Sequence, residues 1–388
     1  MDDYDADAAF ARRLIDFDPD DPATYSPWSV PQGAASGQSS VVSGQTEGKA
    51  ASGQLAVGSA QAMAAMAAAK PKPNIPWPAG LAPVPVPLLQ KPQPTDALPA
   101  CDYLAVTWTV AEAKALADVL TPGCDSRTDW YPYAKDFDTI YAPLIRKGAP
   151  AYDSRRLGSY FLTEIGGKKV LCYKSELHMS QDGPKLPVRL LWKQLIAETQ
   201  PKMVITTGTA GGIGGGVVLG DVIIGKAVRF DCIRSFKNAA FHNGYYHCSP
   251  VSRKYLKSAA KTLMGAVRSQ LPASPRAPKI FYGDWEQVRP INVVTTDFFA
   301  FDDTTNYYGL QGRGSAVEMG DAVLGLAIND LGRGAPRWTA IRNASDPQMD
   351  GGQPLADQTK TAAQIYEKYG YWTTVCSAIA TWAVIAGE

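Results

Sequence analysis

Residues 202–224 read KMVITTGTAGGIGGGVVLGDVII, and this stretch decides the fold. The apolar run 202–208 predicts a buried strand, and the glycines after it predict a tight turn. Backbone N–H groups in such a turn can approach an anion or polar ligand closely, because glycine has no side chain in the way. The turn lacks the Gly-Lys-Ser/Thr ending of a phosphate loop and a complete Gly-x-Gly-x-x-Gly fingerprint. A plain turn therefore remains the alternative to a ligand loop.

Short apolar runs alternate with helical spacing on both sides of this stretch. The pattern predicts an α/β domain over 101–388, with helices on both faces of a mainly parallel sheet. The predicted strands are 103–108, 168–174, 202–208, 221–230, 291–296 and 337–345, and the predicted helices are 110–120, 187–199, 253–271, 315–332 and a long one closing the chain.

Residues 1–100 have a different composition. An acidic start is followed by an Ala/Gly/Ser/Gln-rich segment over about 33–69 and then by a Pro-rich segment, PKPNIPWPAGLAPVPVPLLQKPQP. Such sequences bury too little apolar surface to offset their ordering entropy, so a disordered tail is expected over 1–100. The alternative is that residues 4–18 form a helix that folds on a protein partner.

Charge and cysteine usage exclude several classes of protein. The 388 residues carry 38 Lys and Arg against 37 Asp and Glu, which argues against nucleic-acid or membrane binding as the main role. Six cysteines without a Cys-x-x-Cys pair, and three histidines, argue against a zinc site or a disulfide framework. The acidic N-terminus and the lack of a 20-residue apolar run favour a soluble cytoplasmic protein.

Three ordered motifs carry a resemblance to a known family. They are TGTAGGIGGGVVLGDVII (207–224), AVEMGDA (316–322) and AIRNASD (340–346), with a weaker match at VVTTDFFAF (293–301). Together they resemble the nucleoside phosphorylase and nucleosidase superfamily, and most of all its methylthioadenosine/S-adenosylhomocysteine nucleosidases. The resemblance implies a three-layer α/β/α phosphorylase-like domain with a mixed central sheet. It also implies a homo-oligomer, a small purine nucleoside or nucleotide as ligand, and no metal or organic cofactor.

The resemblance assigns catalytic roles to two carboxylates. Asp346 matches the general acid that protonates the leaving purine, and a partly buried Asp can keep its proton near neutrality. Glu112 matches the Glu that activates water. Without the resemblance, Asp346 before Pro347 is a turn cap, and Glu112 is an ordinary first-turn helix residue.

Substrate contacts follow from the same motifs. The resemblance places Thr209, Ala210 and Gly211 around an anion or water, and Phe299 against the purine, with Phe298 as the alternative. Glu318 and Met319 match the sugar-binding motif, and Arg342 is expected to brace the strand end that carries Asp346. The second Glu of that motif is replaced here by Gly320, and Asp321, about 100° further around a helix, is the candidate substitute.

The sequence therefore predicts a purine nucleoside N-glycosidase. A phosphate-dependent purine nucleoside phosphorylase is the first alternative. Phosphorylases of the superfamily bind phosphate with an Arg just before the glycine turn, where this chain has Thr206, so hydrolysis is favoured. The second alternative is a binding protein that has lost catalysis and acts through its tail.

Overall fold

The computed structural model describes residues 3–26, 72–282 and 290–388. Thirteen strands of these residues form one mixed sheet. The strands are β1 Val84–Pro85, β2 Tyr103–Thr107, β3 Tyr131–Tyr133, β4 Gly158–Ile165, β5 Lys168–Ser175, β6 Met203–Gly212, β7 Val222–Ile224, β8 Ala227–Phe230, β9 Tyr245–His247, β10 Ile280–Tyr282, β11 Asn292–Thr295, β12 Ala316–Glu318 and β13 Arg337–Asp346.

The centre of the sheet is parallel and its periphery is mixed. The main order is β1-β4-β5-β2-β6-β12-β11-β8-β9, and β13 pairs with β6 and β7 off this path. β2, β5, β6 and β13 run parallel, whereas β4 is antiparallel to β5 and β12 is antiparallel to β6. Parallel strands need a crossover, and the helices between them cover both faces of the sheet.

Seven α-helices and several shorter helical turns surround the described sheet. The helices are α1 Asp3–Asp16, α2 Val110–Leu120, α3 Pro150–Ser154, α4 Val188–Thr199, α5 Leu256–Ser258, α6 Asp321–Leu331 and α7 Leu355–Gly387. The shorter turns are Pro22–Thr24, Phe137–Tyr141, Ala259–Leu263, Met264–Gln270 and Gly332–Gly334.

Strand β2 shows how the sequence makes three layers. Successive strand residues point to opposite faces, so Leu104 and Val106 join one apolar core while Tyr103 and Ala105 join the other. The first core lies under α4 and α6, and the second lies under α2 and α7. This confirms the expected α/β/α domain with a mixed central sheet.

Three predicted elements differ from the structure. The range 221–230 contains two strands, β7 and β8, because the chain turns at Gly225, whose N–H donates to Ala340. The range 315–332 contains β12 and then α6, and the range 253–271 is an irregular succession of short helical turns. In each case a short buried element shares the apolar spacing of the longer element that was predicted.

The structure also differs from the expected disordered tail in two segments. Residues 3–16 form helix α1, and Ser26 is anchored by its backbone N–H, 3.2 Å from Glu367 Oε1. Residues 72–100 lie along the domain, where β1 pairs with β4 and Trp77 contacts Trp382. The Ala/Gly/Ser/Gln-rich segment lies outside the described residues.

No helix among the described residues is long and apolar enough to cross a membrane.

Candidate active site

The site lies where β6 changes neighbours. β2 pairs with β6 up to Thr206, and β12 begins to pair with it only at Gly211. On the side of β6 that faces β2 and β12, the backbone of residues 207–210 is therefore not paired with a described strand. Its Thr209 N–H donates to the carboxylate of Glu112, with an N–O distance of 2.6 Å.

Glu112 is held at the start of α2 by the local sequence. Thr109 is the N-cap residue and forms a reciprocal capping box with Glu112. Oε2 of Glu112 also accepts from the Thr107 hydroxyl at 2.8 Å and from Trp108 N at 3.0 Å, and Oε1 accepts from the Thr209 hydroxyl at 2.7 Å. Both carboxylate oxygens are thus fixed by protein donors.

The charge state of Glu112 follows from these contacts. Burial alone raises the pKa of Glu112, but the Arg342 guanidinium and the Thr109 and Thr209 donors outweigh it. The pKa therefore lies below its usual value, and Glu112 is a carboxylate at neutral pH.

Gly208, within strand β6, is required for this arrangement. The sequence predicted a tight turn from this glycine on, but β6 continues to Gly212 and the turn follows it. Gly208 has a φ of +152°, and a Cβ built there would lie 2.6 Å from Cδ of Glu112. Only glycine can adopt this backbone conformation and also leave room for a carboxylate this close.

Arg342 on β13 is the buried cation beside Glu112. Its Nε donates to Asp321 Oδ2 at 2.8 Å, and Nη2 donates to the other oxygen of the same carboxylate. The guanidinium also lies 3.6 Å from Glu318 Oε2 and 3.8 Å from Glu112 Oε1, and it stacks on Trp108. One arginine therefore serves three buried carboxylates.

Glu318 ends β12 and holds the start of α6. Its carboxyl oxygens accept from the backbone N–H groups of Gly320 at 2.6 Å and Asp321 at 3.0 Å, and from the Thr295 hydroxyl. Burial and the Asp321 carboxylate raise the pKa of Glu318 to about 8, although Arg342 opposes them.

Asp346 lies at the end of β13, where the register with β6 shifts. Ala344 pairs with Ala210 and Asp346 pairs with Gly211, so Ser345 is an extra residue. Such a bulge changes the direction of the next side chain. Asp346 is 5% exposed, and the Ser345 hydroxyl donates to its Oδ1 at 2.8 Å. Burial raises the pKa of Asp346 to about 6, against a lowering by that hydroxyl.

One cavity of about 110 Å³ brings most of the predicted site residues together. Its walls include Glu112, Thr209, Ala210, Gly211, Phe299, Glu318, Met319, Arg342 and Asp346. Phe298 does not line this cavity, since its ring packs in a neighbouring apolar cluster under Arg234.

Asp321 does not fit the role expected from the sequence. Its side chain is fully buried and bound to Arg342, and it is not among the described cavity residues. It therefore cannot replace the carboxylate that Gly320 lacks. At Gly320 itself, an added Cβ would make ordinary van der Waals contacts with Trp108 and Glu318, so the wall has room for a Cβ there but is lined by these two residues.

Two parts of the cavity were missed by sequence reasoning. One is His178, which is buried in the cavity wall and whose Nε2 has no hydrogen-bond partner among the described residues. Burial and the nearby Lys174 lower the pKa of His178 to about 3, so it is neutral. The other missed part is α1, which contributes Ala11, Leu14 and Ile15. Neither position carries a sequence signal for its place in the fold.

The fold and the site together define a class of protein. A mixed sheet carries a glycine-rich strand, β6, with an ionised carboxylate beside it. A second carboxyl group, of raised pKa, lines the same cavity. Among the described residues, no group of three or more His, Cys, Asp or Glu side chains could hold a metal ion.

Comparison with known proteins identifies the family. Residues 135–367 match the model of the phosphorylase superfamily, and the chain belongs to this superfamily. This confirms the resemblance drawn from the sequence motifs.

Individual relatives are distant. The chain is 24% identical over 169 residues to the 5′-methylthioadenosine/S-adenosylhomocysteine nucleosidase of Listeria innocua, which is 43% of this chain and 58% of that protein. It therefore spans less than two thirds of the length of this curated relative.

Two solved structures are similar in fold. The 5′-methylthioadenosine/S-adenosylhomocysteine nucleosidase of Neisseria meningitidis aligns with a TM-score of 0.44 at 16% identity, over 74% of this chain and 100% of that one. Futalosine hydrolase of Helicobacter pylori aligns with a TM-score of 0.43 at 12% identity, over 74% of this chain and 98% of that one.

Proposed function

We propose that this protein hydrolyses the N-glycosidic bond of a purine nucleoside to free base and sugar. The observation that carries the proposal is the pair of carboxyl groups on one cavity with opposite pKa shifts. The pKa of Asp346 is raised to about 6, whereas the pKa of Glu112 is lowered. Two carboxyl groups with pKa values pushed apart provide an acid and a base in one site.

Asp346 is the proposed acid. Breaking the glycosidic bond leaves the electron pair on the purine, and a proton from Asp346 neutralises the charge that develops there. A pKa near 6 suits this step, because the group holds a proton at mildly acidic pH and transfers it readily. Phe299, which lies on the same cavity, is the proposed stacking surface for the base.

Glu112 is the proposed base. A water molecule near Oε1 attacks the anomeric carbon of the sugar and transfers a proton to the carboxylate. The new carbon–oxygen bond replaces the broken carbon–nitrogen bond. Glu112 then releases its proton to solvent, and Asp346 takes up a proton from solvent before the next turnover. The ionised carboxylate also stabilises the positive charge of an oxocarbenium-like sugar. Met319 and Glu318 are the proposed sugar contacts.

The contacts at the glycine turn favour hydrolysis over phosphorolysis. Thr209 N–H and Oγ1–H are the donors that a phosphate at this turn needs, and both donate to Glu112. Of the described cavity residues, Arg342 alone carries a permanent positive charge, and Asp321 binds it in a bidentate pair. A phosphate dianion at this position meets carboxylates and no unpaired cation.

Base release tests the proposal. Purified protein is incubated with 5′-methylthioadenosine, S-adenosylhomocysteine, adenosine, inosine, guanosine and AMP, each with and without phosphate, and free base is quantified by chromatography. We expect phosphate-independent release from at least one nucleoside and little release from AMP.

Matched variants identify the acid. Asp346→Asn is expected to lower base release by a factor on the order of 100 or more. Asp350→Asn, an exposed carboxylate four residues further along the chain, serves as the control and retains activity. Release that depends on phosphate would favour a phosphorylase, and no release from any substrate would contradict the proposed activity.

A further inference from the structure

Helix α1 forms one side of the cavity. Ala11, Leu14 and Ile15 are buried and line it, and they occupy one face of the helix, since helical residues three and four apart are neighbours. Arg12 and Asp16 form an ion pair away from the cavity, and Arg12 Nη1 also donates to the Gly148 carbonyl at 2.8 Å. The cavity side of α1 is therefore apolar.

The segment that contains α1 is attached by specific contacts along its length. Gln181 Nε2 donates to the Ala8 carbonyl at 3.0 Å, and the rings of Phe10 and Phe299 meet edge to face at 4.9 Å. At the other end, the Ser26 hydroxyl and N–H donate to the buried Glu367 carboxylate. These contacts join residues 8–26 to three separate parts of the domain.

A hydrogen-bond chain connects α1 to Glu112. Tyr366 donates its hydroxyl to the Leu14 carbonyl at 3.2 Å, and its oxygen lies 2.9 Å from Thr109 Oγ1. That same Thr109 oxygen accepts from the Glu112 N–H in the capping box. The position of α1 is thus linked to the residue proposed to activate water.

We propose that residues 8–26 are a permanent wall of the substrate cavity, and that Ala11 and Ile15 contact the substrate and limit the size of the group it carries there. This inference rests on the proposed function. Asp346, Glu112 and the sugar-contact residues account for the base and the reacting bond. The apolar face of α1 is left for an uncharged part of the substrate remote from that bond.

Two substitutions in α1 change the cavity in opposite directions. Ala11→Leu adds three carbon atoms to the wall, and Ile15→Ala removes three, while Ala and Leu both favour a helix. Ala9→Leu makes the same substitution at an exposed position of α1 and serves as the matched control. Thermal unfolding of each full-length variant reports whether the fold is retained.

The assay is base release from adenosine and from 5′-methylthioadenosine, with kcat and KM measured separately. We expect Ala11→Leu to raise KM by a factor on the order of 10, more for the larger substrate, and Ile15→Ala to shift the ratio of kcat/KM towards the larger substrate by a similar factor. Ala9→Leu is expected to stay within twofold of the wild type.

Equal behaviour of Ala11→Leu and Ala9→Leu overturns the inference and leaves the proposed function intact. An equal rise of kcat/KM for both substrates in Ile15→Ala also overturns it, because α1 would then hinder both substrates alike and would not select between them by size. If the wild type releases no base, the proposed function fails, and stabilisation of the wild type but not of Ala11→Leu by 5′-methylthioadenosine still supports the wall. The absence of stabilisation in the wild type then refutes both.

Discussion

The raised pKa of Asp346 has a consequence for stability that is independent of any substrate. The carboxyl group has a pKa of about 6 in the folded protein and 3.8 as its ordinary value. The folded state therefore binds the proton more tightly than the unfolded state. The stabilisation from this proton is complete below pH 4 and is lost as the pH rises through about 6.

The size of this effect follows from the shift. Each pKa unit corresponds to about 1.4 kcal/mol, so ionisation of Asp346 costs the folded state about 3 kcal/mol between pH 4 and pH 7. Asparagine cannot ionise and still accepts the Ser345 hydrogen bond. We therefore expect the free energy of unfolding of Asp346→Asn, measured relative to that of the wild type, to rise by about 3 kcal/mol as the pH rises across this range.

The assay is chemical denaturation of the wild type and Asp346→Asn at several pH values from 4 to 8, with Asp350→Asn as the control. Chemical denaturation gives this difference directly as a free energy of unfolding. In thermal unfolding, about 3 kcal/mol would correspond to a shift in Tm of about 4 °C for a chain of this length. Any constant cost of the new amide cancels when the two ends of the range are compared. A stability difference that does not change with pH would refute the raised pKa and, with it, the proposed acid.

Three further substitutions test other parts of the structure. Glu112→Gln is expected to lower base release by a factor on the order of 100 and to lower Tm, because its amide group faces protein donors instead of accepting from them. Gly208→Ala in β6 is expected to prevent stable folding, measured by circular dichroism. Gly216→Ala, in the turn that follows β6 and with no atom near a Cβ, is expected to fold normally. Trp382→Phe removes the indole hydrogen bond to the Leu81 carbonyl, and urea denaturation is expected to show a loss of about 1 kcal/mol; an unchanged midpoint would argue that this contact does not hold residues 72–81.

Local signals in the sequence were sufficient for the central elements. The helix 110–120 was predicted with the bounds that α2 has, and the structure shows that a capping box of Thr109 and Glu112 fixes its start. Strand β12 was missed because it has three residues and runs directly into α6. A strand this short has too few residues to show a period of two.

Site residues that belong to a sequence motif could be predicted, whereas those brought to the site only by tertiary packing could not. The end of β13 that carries Asp346 and the glycine-rich stretch after residue 206 could be placed from the sequence. Two expectations were wrong: the strand continues to Gly212 where a tight turn was predicted, and Asp321, the predicted sugar contact, is bound to Arg342. The burial of His178 depends on tertiary contacts that no local pattern encodes. The helical spacing of Phe10, Leu14 and Ile15 suggested a docking helix, but not that its partner is the same chain.

Both N-terminal segments are anchored on helix α7. Ser26 binds Glu367, and Leu81 binds Trp382 about 22 Å further along the helix, at 1.5 Å per residue. Residues 27–80 have far more contour length than this span requires, whatever path they take. The wall is therefore part of the same chain as the rest of the site, and its presence does not depend on protein concentration, in contrast to a pocket completed by a second subunit.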